Sequence, residues 1–289
     1  MRPDIDAMPN LKDFQNCFAR ELTLIEGALD AVLPEAAPPV DALCGAMRYG
    51  VIPGGKRIRP LLVLCVTQAL GGNVQHALPA AAALELLHCY TLIHDDLPCM
   101  DNDTLRRGKP TVHVEFGEAT ALLAGDALLT LAFEQASRAL HAPASVVRLL
   151  AEASGAKGVI AGQIADLAAV TRSDVTPEGL TFIHTNKTAA LFRVAAAMGV
   201  YAAGKGDDTD LLQAFAKFGI SLGLAFQYVD DVLDAKTETA FSSVSVLGLD
   251  TVRERAERYT NEALAAIALF GADADPLRML AQFMLRREA

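Results

Sequence analysis

The sequence predicts an all-α protein, a single domain of about ten helices across residues 1–289. Three observations predict this. Apolar residues recur at three- and four-residue steps along most of the chain. The hydrophobic content is 52%, mostly Ala, Leu and Val, with 6% aromatics and no Trp; Ala and Leu are strong helix formers. No stretch alternates with period two for long enough to build a sheet.

Residues 11–33 read as the first helix, with Leu11, Phe14, Phe18, Leu22, Ile25 and Leu29 on one face, and "PEAAPP" at 34–39 stops it. A short helix at 40–50 runs into "GVIPGGKRIRP". The next, about 60–70, stops at Gly71-Gly72. Residues 77–96, "ALPAAAALELLHCYTLIHDD", are apolar on nearly every face, which places this helix in the middle of a bundle. Helical patterns resume at about 119–140, 144–171, 177–203 and 208–235, then at 248–270 and 275–288. No linker and no short-period repeat divides the chain.

The net charge is −10 and no Lys/Arg-rich run offsets it, which argues against a nucleic-acid surface. An acidic ligand remains possible where metal ions bridge it to acidic side chains. The five cysteines (17, 44, 65, 89, 99) are scattered, and no C-x-x-C pair marks a zinc site or a disulfide framework. Reduced thiols in a cytoplasmic protein are the expected state. The N-terminal "MRPDIDAMPNLKDF" has early acids and no apolar core of a secretory signal. No run approaches the roughly 20 apolar residues of a membrane span, so a soluble protein is expected.

Two acidic clusters carry the chemistry. "LIHDDLPCMD" ends a buried helix with Asp95, Asp96 and Asp101, and Pro98 loops the chain out so that Asp101 can swing back beside Asp95. "FQYVDDVLD" puts Asp230 and Asp234 four apart on one helix face, with Asp231 pointing aside. Like charges at these spacings cost stability unless a cation offsets them. Oxygen ligands without thiolate favour Mg²⁺ over zinc, and Mg²⁺ is usually shared with substrate phosphates. Basic groups suit such an anion. "GGKRIRP" places Lys56, Arg57 and Arg59 after two glycines, where backbone can approach an anion, and "LRRGKP" places Arg106 and Arg107 past the first acids. Lys187, Thr188 and Gln227 are further donors. His88 lies two turns before Asp95, on the same face.

These segments resemble the trans-isoprenyl diphosphate synthases, closest to the bacterial farnesyl diphosphate synthases. "GGKRIRP", "ELLHCYTLIHDDLPCMDNDTLRRGKPTVH", "GDALL", "AGQIADL", "NKTAALF" and "GLAFQYVDDVLD" occur in family order from about residue 40 to 235. The resemblance implies a helical bundle around a central cavity and a homodimer. It implies head-to-tail condensation of isopentenyl diphosphate with an allylic diphosphate, dimethylallyl and then geranyl, giving farnesyl diphosphate and releasing diphosphate. By the same resemblance Asp95, Asp101 and Asp230, with Asp234 nearby, hold three Mg²⁺ ions, for which Mn²⁺ can substitute. Lys56, Arg59, His88 and Arg107 match the isopentenyl diphosphate site; Arg106, Lys187, Thr188 and Gln227 match the allylic one. An aromatic at Tyr90, five residues before Asp95 and next to Thr91, goes in the family with the farnesyl product, whose growing tail it would stop.

One departure stands out. The family's second motif continues into a Gly-Asp, Leu-Gly-Lys loop with a further lysine. Here "DAKTETAFSSVSVLGLD" passes straight to the next helix, so the loop is deleted or the chain as written omits it. Lys236 and Thr237 are the nearest substitutes. A geranylgeranyl diphosphate synthase is the neighbouring reading, and a non-catalytic synthase subunit is the reading that the shortened loop suggests. An HD-type phosphohydrolase leaves the second Asp cluster unexplained, and a class I terpene cyclase leaves the second basic site unexplained.

Overall fold

Helices form where the apolar rhythm predicts them across residues 11–52, 54–170, 175–235 and 242–286, which the computed structural model describes. The first elements are α1 (Leu11–Cys17), α2 (Ala19–Val32), α3 (Asp41–Val51), α4 (Ile58–Ala69) and α5 (Val74–Asp95). A two-residue hairpin, β1 (Leu105–Arg106) and β2 (Lys109–Pro110), precedes α6 (Val112–Phe116), α7 (Glu118–Ser137) and α8 (Pro143–Ser154). Next come α9 (Val159–Val170) and α10 (Pro177–Ile183), a π-helical turn at His184–Ala189, and α11 (Ala190–Ala202). Then follow α12 (Thr209–Asp234), α13 (Ser243–Leu247), α14 (Leu249–Ala266) and α15 (Asp275–Arg286). The fold is all-α, as predicted.

The differences from the expected ten helices are local. The first predicted helix breaks at Phe18, whose φ of −109° and ψ of 19° are not helical. The predicted helix 144–171 divides where Gly158 packs so tightly that an added Cβ would lie 1.9 Å from the Ala153 carbonyl oxygen. Five-residue helices such as α6 and α13 are too short to leave a periodic signal. α13 is set instead by a capping box, in which the Ser242 and Ser245 side chains each bond the other residue's backbone N–H. The hairpin pairs Leu105 with Pro110 and Arg106 with Lys109. Its turn residues Arg107 and Gly108 both have positive φ, 55° and 74°, as a two-residue hairpin turn requires. Strands this short show no period-two pattern. Lys236 and Thr237 lie outside the described residues.

One large apolar cluster draws on α1 to α9, α11, α12, α14 and α15. A smaller one, Tyr228, Val229, Val252 and Ala256, joins α12 to α14. The α11 helix packs on α4, α5 and α12. Its close approach to α12 depends on small residues: a Cβ on Gly219 would lie 2.5 Å from the Phe192 carbonyl oxygen. The helices α5 and α12, which end in the two acidic clusters, thus both pack against α11. No described helix is long and apolar enough to cross a membrane.

Candidate active site

The three acids of the first cluster divide between two tasks. The chain turns back after α5: Leu97 N–H donates to the His94 carbonyl at 3.1 Å, and Asp101 N–H donates to the Asp95 carbonyl at 2.9 Å. This is the return predicted around Pro98, and it brings Asp101 to Asp95. Burial pushes the Asp95 carboxyl up to about 6, the Lys187 charge opposes that shift, and the Asp101 charge adds to it. Burial also raises Asp101. Asp96 turns away, buried, and accepts from Arg106 Nε at 2.7 Å.

In the second cluster, Asp230 and Asp234 lie in the last turn of α12, and Asp231 points aside as predicted. Asp231 is buried and accepts from Gln227 Nε2 at 2.9 Å, from Ser243 N–H at 3.1 Å and from the Ser243 hydroxyl. Burial pushes it up to about 6 against the Gln227 and Ser243 bonds. Asp95, Asp230 and Asp234 also sit at the negative ends of helix dipoles, which a cation would relieve. Among the described residues, no three His, Cys, Asp or Glu side chains converge into a metal cage. Oxygen donors in two groups on separate helices fit a hard cation that completes its shell with non-protein oxygens.

The basic residues part in the same way. Arg57 is consumed by the fold: Nε donates to Glu26 Oε1 at 2.7 Å, Nη1 to Glu85 Oε1 at 2.8 Å and Nη2 to the Val51 carbonyl at 2.7 Å. Arg59 faces the cavity. Its guanidinium lies 4.9 Å from the Phe192 ring centre and donates from Nη1 to His88 Nε2 at 3.3 Å, while its buried Nε has no partner among the described residues. Because arginine only donates, His88 Nε2 is the acceptor and its ring proton sits on Nδ1. Burial, then repulsion from Arg59, Arg107, Arg57 and Arg106, pushes His88 well below its ordinary value, so the imidazole is neutral. The glycines of "GGKRIRP" make room for arginine instead of exposing backbone to an anion. A Cβ on Gly54 would lie 1.7 Å from Arg57 Cζ, and one on Gly55 would lie 2.8 Å from Arg107 Nη2. The hairpin tip thus sets Arg107 over the loop that carries Lys56.

Lys187 and Thr188 lie in the π-helical turn, a feature common at functional sites. Lys187 Nζ donates to Asp166 Oδ2 at 2.6 Å. Burial works against the Lys187 charge, but Asp166, Asp95 and Asp101 outweigh it and its pKa is raised. The Thr188 hydroxyl donates to Gln227 Oε1 at 2.6 Å. Gln227 keeps that orientation because its amide donates to the Asp231 carboxylate, so the Thr188 proton points away from the cavity.

A cavity of about 500 Å³ collects much of this set. Arg59, His88, Asp95, Lys187 and Thr188 are among its polar lining residues; Leu129, Val159, Ile164, Leu167 and Leu191 are among its apolar ones. Tyr90 and Thr91 also line it. Lys56, Asp101, Arg106, Arg107, Gln227, Asp230 and Asp234 are not part of the wall, although Asp230 attracts Arg59. The residue-by-residue reading missed two α9 side chains: Asp166, which holds Lys187, and Gln163, which lines the cavity and whose buried Nε2 has no partner among the described residues. The polar pair at three-residue spacing within apolar "AGQIADL" was the available signal.

An all-α bundle with Arg59, Lys187 and Asp95 on a largely apolar cavity suits handling of an amphiphilic anion. Residues 40–243 match the polyprenyl synthetase family model, and the chain belongs to that family of prenyltransferases, which act on isoprenyl diphosphates. It is 40% identical over 304 residues to a heterodimeric geranylgeranyl pyrophosphate synthase large subunit of Arabidopsis thaliana, covering 97% of this chain and 81% of the relative. A geranylgeranyl diphosphate synthase of Cyanophora paradoxa is 39% identical, with 91% of this chain and 93% of the relative covered. The crystal structure of an FPP/GFPP synthase from Zymomonas mobilis superposes with a TM-score of 0.85 at 38% identity, covering 92% of this chain and 99% of the other. A geranyltransferase from Legionella pneumophila superposes with a TM-score of 0.86 at 35% identity, covering 95% and 98%. The Arabidopsis alignment, 304 residues, is longer than this entire 289-residue chain. That relative therefore carries residues with no counterpart here.

Proposed function

We propose that this chain, as one catalytic domain, condenses isopentenyl diphosphate with dimethylallyl and then geranyl diphosphate and releases farnesyl diphosphate and diphosphate. The observation that carries this reading is the cavity itself: Arg59, His88, Asp95 and Lys187 line a largely apolar space, with Tyr90 also in its lining. Lys56, Arg59, His88 and Arg107 hold the isopentenyl diphosphate. Neutral His88 orients Arg59, whose unpartnered Nε is ready for a phosphate oxygen. Arg106 and Lys187 donate to the allylic diphosphate, and Thr188 and Gln227 exchange their mutual bond for its oxygens.

Asp95, Asp101, Asp230 and Asp234 would hold three Mg²⁺ ions, or Mn²⁺ in their place. Bound there, magnesium supplies Lewis-acid stabilisation of the leaving diphosphate. Lys187 and Arg106 add fixed positive charge where negative charge develops. Leu129, Val159 and Leu167 keep water from the allylic cation while the isopentenyl double bond attacks it. The proton lost in that attack passes to the departing diphosphate.

A second copy of the chain completes the enzyme in this reading, on the face where Val114, Leu122 and Leu123 are exposed. The five cysteines, none of them in a disulfide, suit a reducing cytoplasm. Geranylgeranyl diphosphate is the rival product, because relatives about 40% identical are named geranylgeranyl pyrophosphate synthases. Chromatography of the products formed from labelled isopentenyl diphosphate and geranyl diphosphate separates them: farnesyl diphosphate supports the proposal, and a product one unit longer replaces it.

A further inference from the structure

The product-length proposal assigns the stopping role to Tyr90. The ring of Tyr90 does not stand alone. One helical turn nearer the mouth, His94 meets it edge-on, with ring centres 5.5 Å apart and planes at 86°. Both side chains line the cavity. A ring that stops a growing chain has to resist being pushed aside, so whatever holds Tyr90 bears on where growth stops.

His94 is itself held from the opposite helix. Its Nε2 lies 3.0 Å from the Leu122 carbonyl oxygen on α7. A carbonyl only accepts, so Nε2 carries the proton and donates. Asp126 Oδ1 stands 3.9 Å from the same nitrogen. Between these two residues lies Gly125. A Cβ there would sit 2.1 Å from His94 Nε2 and 2.3 Å from Cδ2, so the imidazole occupies the place that any other residue's side chain would take. The imidazole is thus bonded to α7, seated over a glycine and packed against Tyr90.

We infer that His94, clamped to α7 at Leu122 and Gly125, is a product-length determinant that braces Tyr90 across the cavity. This rests on the reading of Tyr90 as the floor. With the brace in place, the tail of the growing isoprenyl chain meets two aromatic rings locked between α5 and α7. Without it, Tyr90 loses its edge contact and can turn aside, and another five-carbon unit fits.

The test is the product-length distribution from labelled isopentenyl diphosphate and geranyl diphosphate, with the first condensation rate measured separately. His94→Ala removes the brace, and Gly125→Ala displaces it by crowding the imidazole, with His94 and the cavity acids themselves left unsubstituted. Both are expected to raise the ratio of longer to farnesyl product about ten-fold or more, the scale of relieved overpacking. His94→Phe keeps a ring against Tyr90 and is expected to stay near the wild-type ratio. Combining Tyr90→Ala with His94→Ala is expected to give no more lengthening than Tyr90→Ala alone, because the brace acts through that ring. If Tyr90→Ala lengthens the product while His94→Ala and Gly125→Ala leave it unchanged, the brace is refuted and the floor stands. If Tyr90→Ala also changes nothing, the floor and with it the brace are both wrong. Folding of each variant is checked by its melting curve. Should Gly125→Ala not fold, His94→Ala alone decides.

Discussion

The backbone N–H of Asp101 donates to the carbonyl oxygen of Asp95 at 2.9 Å. That bond closes the "DDLPCMD" loop against the end of α5 and puts two like charges into one electrostatic field. The repulsion is then part of the fold, and burial together with Asp101 holds the Asp95 carboxyl near 6.

A pH dependence follows from that value. The Asp95 pKa in the fold, about 6, is above its ordinary 3.8. The fold therefore binds a proton that the unfolded chain has already released, and stability falls as pH rises through that interval. In metal-free buffer, Asp95→Asn should melt above wild type, by a margin that grows from about pH 4 to pH 6 and then levels off. A margin independent of pH would contradict the shift.

Arg59 should serve the isopentenyl substrate. Arg59→Ala should raise the KM for isopentenyl diphosphate about ten-fold or more, given roughly 1.5–3 kcal/mol for hydrogen bonds to charged groups. The KM for the allylic substrate should change little, because ground-state binding of one diphosphate is what is lost. An equal rise for both would reassign Arg59.

Arg57 and Glu85 form a buried pair, with side chains 1% and 2% exposed. Glu85→Ala would leave buried Arg57 Nη1 without its acceptor while Glu26 still pairs with the guanidinium, and should cost about 1–3 kcal/mol in denaturant unfolding. Glu134→Ala removes an exposed pair with Arg138 on α7 and should cost no more than about 1 kcal/mol. Similar costs for the two would mean that Arg57 finds another partner.

Tyr90 should set product length. Tyr90→Ala should shift the main product from farnesyl to a longer isoprenyl diphosphate by about ten-fold or more, since overpacking against the ring costs about 1–3 kcal/mol. An unchanged product length would make Tyr90 ordinary core packing.

Local features were legible in the sequence. Helical period alone sets Asp231 aside from Asp230 and Asp234, and Pro98 marks the turn that returns Asp101 to Asp95. Roles decided by distant partners were not legible. Arg57 and Arg59 stand two residues apart in one motif, yet Arg57 is bound by Glu26 and Glu85, 31 and 28 residues away, while Arg59 turns to the cavity. Lys187 reads as an anion donor, but only the packing of α9 reveals that Asp166 holds it. The short elements α6, α13 and the hairpin escaped because capping and turn chemistry, not periodicity, define them.

The central claim is divalent-metal-dependent prenyl transfer at the two aspartate clusters. It is tested most directly by incorporation of labelled isopentenyl diphosphate by the purified chain with a geranyl primer. The assay is run with magnesium, with excess chelator, and in the variants Asp95→Ala and Asp230→Ala. The account predicts turnover only with magnesium and intact acids, and a loss of orders of magnitude in the chelated enzyme and in each variant. Near-normal turnover in either variant, or full activity in chelator, would contradict it.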